Sequence, residues 1–195
     1  MFLSKLSEFL KQFHPNPSFM LLLGYLYDDM KKPFSYLLVG IIIAAAFLVI
    51  MIFVNTAIGR EPIPARYVYL FLFIAYLIVL AQMVYFNREP GSRTSSMNLT
   101  LFSTWGSTMK SHAYVIENVL LFIPFGIFVP ACFPKLRGIS NVFCLAVILS
   151  TTIELLQYFT GRGFCQLDDV VTNTLGALIG FVIYFIVHGI HNLFR

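Results

Sequence analysis

"IELLQYFTGRGFCQLDDVVTNTLGALIG", residues 153–180, is mostly hydrocarbon, yet it carries Glu154, Gln157, Arg162, Asp168, Asp169 and Asn173. Two apolar runs, 142–159 and 170–190, meet across it, joined by the short loop 160–169. Runs near 20 residues are what a helix needs to cross the hydrocarbon core of a bilayer, so the stretch reads as a hairpin of two membrane helices. Three further runs lie upstream: 34–54 and 68–86, both uncharged, and 114–133, which contains Glu117. With 58% hydrophobic and 11% charged residues, the chain lies far outside the soluble range. The expected fold class is all-α, a polytopic membrane bundle with about five transmembrane helices.

The first 33 residues form a separate unit in this reading. Residues 1–13 place Leu3, Leu6, Phe9, Leu10 and Phe13 at helical spacing, with Lys5, Glu8 and Lys11 turned away. That pattern predicts an amphipathic helix lying on the membrane surface; a disordered tail is the alternative. Residues 19–27 are apolar but too short to span, and fit a segment dipping into the interface. Residues 34–92 then supply two spans, and 93–195 supply three. The N-terminus lacks the pattern of a cleavable signal peptide. A net charge of +4 with basic residues scattered through loops matches membrane flanks and offers no nucleic-acid stripe. Cys132, Cys144 and Cys165 have no metal-ligand spacing and read as free thiols, although Cys132 and Cys144 fall near one membrane face.

Sequential antiparallel helices put alternate loops on alternate faces. Face A holds 55–67, 134–141 and the C-terminus, and is chemically plain, with Arg60, Glu61, Arg66, Lys135 and Arg137 as solvated loop residues. Face B holds the N-terminus, the long loop 87–113 and the loop 160–169. Glu117 and Asn118 stand near the face-B end of the third span, Glu154 and Gln157 in the last turns of the fourth, and Asp168, Asp169 and Asn173 at the start of the fifth. At 1.5 Å per residue these positions fall within roughly 10 Å of one membrane boundary. Four of the nine acidic residues thus converge from three helices.

Each residue taken alone has a structural reading. Glu154 and Gln157 share a helix face and suit interhelical hydrogen bonds; Asp168 or Asp169 suits an N-cap; Arg162 suits a carboxylate partner. Taken together, ionisable groups inside spans mark a functional site. Gly176 and Gly180 have the small-xxx-small spacing of close helix contacts. Pro124 and Pro130 with Gly126, in "FIPFGIFVP" (122–130), allow either a kinked third helix or a tilted continuous one.

At these residues the chain resembles the VanZ-like family of bacterial membrane proteins. The matching pieces are "RTSSMNLTLF" (93–102), "ENVLLFIPFGIFVP" (117–130) and the opening stretch. The positions carried over are Arg93, Asn98, Asn118, Pro124, Gly126, Glu154, Gln157, Arg162, Asp169, Asn173 and Gly176. Leu101 stands where the family usually has proline before phenylalanine, so the loop's turn is expected to differ. The resemblance implies a multi-pass protein of the bacterial cytoplasmic membrane with a cell-envelope role linked to teicoplanin-type glycopeptide resistance, and it supplies no reaction.

The expected partners are therefore membrane lipids or a lipid-linked cell-wall component, with the glycopeptide antibiotic itself as another, and no nucleic acid. Arg93 and Arg162 are candidates to hold phosphate or carboxylate. Asn98, Asn118, Glu154, Gln157, Asp168, Asp169 and Asn173 are candidates for sugar or peptide hydroxyls and amides. A membrane enzyme is the first alternative, with Glu154, Glu117 and Asp169 as candidate acid–base carboxyls. No cofactor and no metal site is expected, although these oxygens also suit Mg²⁺ or Ca²⁺. A lipid flippase is the second alternative, weakened by the absence of an internal duplication. His14, His112, His188 and His191 share no motif with the carboxylates. Counting all basic residues puts face B inside; leaving out the N-terminal segment and the motif arginines reverses this, and the resemblance favours face B outside.

Overall fold

The computed structural model describes residues 17–58, 66–91, 97–103, 105 and 108–193. Five α-helices make up almost all of it. α1 (Pro17–Ala57), α2 (Arg66–Ala81), α3 (Met109–Cys132), α4 (Ile139–Phe159) and α5 (Leu167–Leu193) follow one another in antiparallel order. Each, α2 together with the π turn Gln82–Phe86 that continues it, contains a stretch long and apolar enough to cross a membrane: Tyr36–Ala57, Tyr67–Phe86, Met109–Cys132, Ile139–Phe159 and Leu167–Ile190. The all-α, five-span expectation holds. The expected surface helix at 1–13 lies outside the described residues. Residues 19–27 form no separate dip: they belong to α1, whose 41 residues span about 60 Å at 1.5 Å per residue. That length carries the helix well beyond the bilayer core on face B.

Packing depends largely on small residues, because lipid tails give apolar helices no hydrophobic reason to associate and close backbone approach supplies contact instead. α3 and α5 form the most extensive contact in the bundle. A Cβ added to Gly176 would overlap the Val119 carbonyl, one on Gly180 the Ile123 carbonyl, and one on Gly126 the Ala177 carbonyl. The glycines thus alternate across the seam. α1 uses the same device more sparingly, through Gly40, where an added Cβ would lie 2.8 Å from the Ala75 carbonyl oxygen, and fully buried Ala44. The remaining core is aromatic. Phe73 of α2 contacts the rings of Tyr76, Phe125, Phe128 and Phe133 at 6.0–6.3 Å. Despite Pro124 and Pro130, α3 runs unbroken over 24 residues. Its far end is closed by Arg137 Nε, which donates to the Pro130 carbonyl at 3.2 Å.

Three local features shape face B. α2 ends in a single π turn, Gln82–Phe86, a widened turn that aims its carbonyls outward and is common at functional sites. α4 stops at Gly161, whose φ of +63° is the left-handed geometry glycine adopts freely. The Arg162 amide then donates back to the Gln157 carbonyl at 2.9 Å, the six-to-one bond of a Schellman ending. Finally, β1 (Met97–Asn98) pairs in parallel with β2 (Cys165–Gln166). This bridge ties the long loop to the short one.

Candidate functional site

The three face-B features surround a cavity of about 250 Å³ lined by Arg88, Tyr114, Val115, Asn118, Phe164, Gln166, Asp169 and Thr172. One wall is α3, another the first turns of α5, and the third is built from β2 and the chain leaving the π turn. Asn118 Nδ2 donates to Asp169 Oδ1 at 2.9 Å, which binds α3 to α5 and leaves the second carboxylate oxygen as an acceptor. Arg88 supplies the cation. Its Nη1 donates to Gln157 Oε1 at 3.1 Å, and its charge acts on both Asp169 and Glu154. Gly163 makes this possible, since a Cβ there would lie 2.7 Å from both Arg88 Nη1 and Gln157 Oε1.

A second layer lies behind the lining. Glu154, 2% exposed, accepts from the Gln166 amide at 2.9 Å through Oε2 and so fixes the β2 wall. Gln157 completes its bonding by donating through Nε2 to the Val84 carbonyl of the π turn at 2.8 Å. Arg162 Nη1 donates to the carbonyls of Tyr85, at 2.9 Å, and Arg88, at 2.7 Å. Its guanidinium also lies over the Tyr85 ring at 4.4 Å, a cation–π contact. Arg162 thus pins the backbone that carries Arg88, using the carbonyls of Tyr85 and Arg88 at the end of the π turn rather than a carboxylate. Burial and the neighbouring Glu154 and Asp169 push the Cys165 thiol above its usual range.

Of the residues singled out in sequence, Asn118 and Asp169 line the cavity, and Glu154, Gln157 and Arg162 support it. The others go elsewhere. Asn173 donates to Ser150 Oγ at 2.9 Å in the α4–α5 seam. Asp168 turns to the long loop, where its carboxylate accepts from the Phe102 amide at 2.6 Å and the Ser103 hydroxyl at 3.4 Å. Asn98 organises that loop locally, accepting from the Thr100 amide and donating to Ser103 Oγ. Glu117 faces α1, where it meets Asp29, away from Glu154. Arg93 lies outside the described residues. All three cysteines are free. Among the described residues no group of three His, Cys, Asp or Glu side chains is arranged as metal ligands.

Sequence reading missed Arg88, Gln166 and Thr172. Arg88 follows an uncharged span and looks like an ordinary flank; its role depends on the π turn, which no local pattern signals. Thr172 does have a signal. It lies one turn from Asp169 and one turn before Gly176, on the helix face that presses against α3.

The fold and site define a multi-pass helical membrane protein with a polar cavity at one membrane boundary, held by paired side chains from four chain segments. Residues 68–188, more than half the chain and every lining residue among them, match the VanZ/LLP1 family, and the chain belongs to that family. It is 32% identical over 119 residues to Protein VanZ of Enterococcus faecium, a match covering 58% of this chain and 71% of that protein. No solved structure matches.

Proposed function

We propose that the protein binds the polar head of an envelope lipid, or of a lipid-linked cell-wall component, in the cavity between α3 and α5. The single observation that carries this reading is the cavity's composition and depth. A guanidinium, a carboxylate and two carboxamides share one hollow at the membrane boundary, with Tyr114 and Phe164 beside them. Arg88 suits a phosphate or carboxylate of the ligand, while Asp169 and Gln166 suit its hydroxyl, amide or amine donors. The lipid tail would remain among the apolar helix faces below. In this proposal the protein sits in the bacterial cytoplasmic membrane with the cavity outward. Shielding or competing for a wall precursor there would give resistance to a teicoplanin-type glycopeptide, the role implied by the family resemblance.

The test is mass spectrometry of lipids that copurify with the protein, compared with Arg88→Gln and Asp169→Asn variants of equal fold and yield. Wild type is expected to retain a defined lipid class that each variant loses. Identical lipid profiles in all three preparations would defeat the proposal. A second reading, a membrane enzyme acting on the same lipid, draws on the electrostatic contact between Glu154 and Asp169. Turnover of the retained lipid that stops in Glu154→Gln would favour it over simple binding.

A further inference from the structure

The chain from Met97 to Trp105 contains no charged residue. Met97, Leu99, Leu101, Phe102 and Trp105 all expose their side chains, Leu99 by 63% and Phe102 by 60%. An apolar cluster of this kind would ordinarily collapse inward or be held loosely. Here it is held firmly outward. The Met97–Asn98 bridge to Cys165–Gln166 fixes one end. Asp168, itself 2% exposed, engages the tip with both carboxylate oxygens, through the Phe102 amide and the Ser103 hydroxyl. Phe102 has a φ of +61°, a left-handed conformation unfavourable for a bulky residue and maintained only where surroundings impose it. Its ring packs edge-on against Trp105, centroids 4.9 Å apart.

The depth of this loop is also fixed. Asp168 is the second residue of the span Leu167–Ile190, so the loop tip it holds lies level with the start of a membrane helix. The lipid-facing side chains of α5 begin within two turns of it, at Val171 and Leu175. The loop is therefore continuous in depth with the surface that contacts lipid. Uncharged aromatic side chains are most favourable at the boundary between headgroups and acyl chains, and exposed apolar clusters mark a surface that something covers.

We propose that residues 97–103 with Trp105 form a wedge that inserts Phe102 and Trp105 into the headgroup–acyl boundary of the face-B leaflet, with Asp168 as its positioning residue. The wedge would anchor the β2 wall of the cavity, since β1 pairs directly with β2.

Trp105 is the only tryptophan in the chain, so its fluorescence reports this loop alone. The experiment reconstitutes the full chain in vesicles. Quenching by lipids brominated near the glycerol end of the acyl chain is measured beside quenching by iodide present on both sides. The proposal expects strong lipid quenching and little iodide quenching. Ready quenching by iodide would overturn it, because the loop would then stand in water. Shielding from both quenchers would overturn it too, placing the loop against another protein surface such as a second copy. In Asp168→Ala most of the lipid quenching should be lost and iodide access gained; a folded variant that keeps the wild-type pattern removes Asp168 from the proposal.

Discussion

Asp169 and Glu154 show how burial and bonding divide labour among similar residues. Asp169 spends one oxygen on Asn118 and presents the cavity with the other, whereas Glu154 lies deeper and holds the Gln166 amide. Both carboxyls act on Cys165, whose thiol is raised by burial first and by Glu154 and Asp169 second. The thiolate is the reactive form, so its fraction at a given pH falls as the pKa rises. Glu154→Gln removes one of the raising influences and should speed alkylation of Cys165 at pH 9, followed by mass spectrometry of the peptide carrying it. An unchanged rate would mean that Glu154 does not face β2. At this scale the sequence was informative wherever a polar residue broke an apolar run, because such residues are costly and must be used. It could not separate lining from support. Asn118, Gln157, Asp168 and Asn173 differ only in direction, by fractions of a helical turn that depend on how the helices are rotated against one another.

Helix seams are the next level, and the α3–α5 seam carries the site. Gly176 and Gly180 let α5 approach α3 closely enough for Asp169 to reach Asn118. Gly176→Ala and Gly180→Ala each drive a Cβ into a carbonyl on α3, so the seam must open. Overpacking of this kind costs about 1–3 kcal/mol, visible as a lower unfolding midpoint in detergent. Gly24→Ala, where a Cβ meets nothing within 4 Å, is the matched control and should leave the midpoint unchanged or slightly raised, since alanine favours the helix. Equal midpoints in all three variants would contradict the close seam. The small-xxx-small spacing made this contact legible beforehand, and it named α5 correctly as the helix that presses on a neighbour. The neighbour's matching Gly126 was legible only as a helix-bending residue. The π turn was not legible at all, since "QMVYF" (82–86) continues an ordinary apolar span. Its partners are tertiary, with Gln157 and Arg162 donating to the Val84 and Tyr85 carbonyls from far along the chain.

Across the whole molecule, hydropathy defined five spans and their order with little ambiguity, because bilayer thickness leaves few alternatives. The convergence of polar groups on face B was equally visible, yet a single chamber shared by Glu154, Arg162 and Asn173 did not result. The bundle instead builds a small lined hollow with a bonded layer behind it and a separate Asn173–Ser150 link in the seam. Under the proposed function, Arg88 and Asp169 of the lining, not the deeper Glu154, would meet the ligand. Replacing Arg162 by Lys, which keeps the charge but loses the planar guanidinium over Tyr85, should weaken lipid retention through misplacement of Arg88. Native mass spectrometry would read this as a partial loss, smaller than in Arg88→Gln.

The central claim is that a lipid headgroup occupies the hollow between α3 and α5, and photocrosslinking tests it most directly. A phospholipid carrying a diazirine in its headgroup is incorporated into vesicles with the full chain, irradiated, and its adducts mapped by peptide mass spectrometry. The account predicts adducts concentrated at residues 114–118 and 164–172 and lost in Asp169→Asn. Adducts spread evenly around the outer surfaces of the helices, and unchanged in the variant, would contradict it.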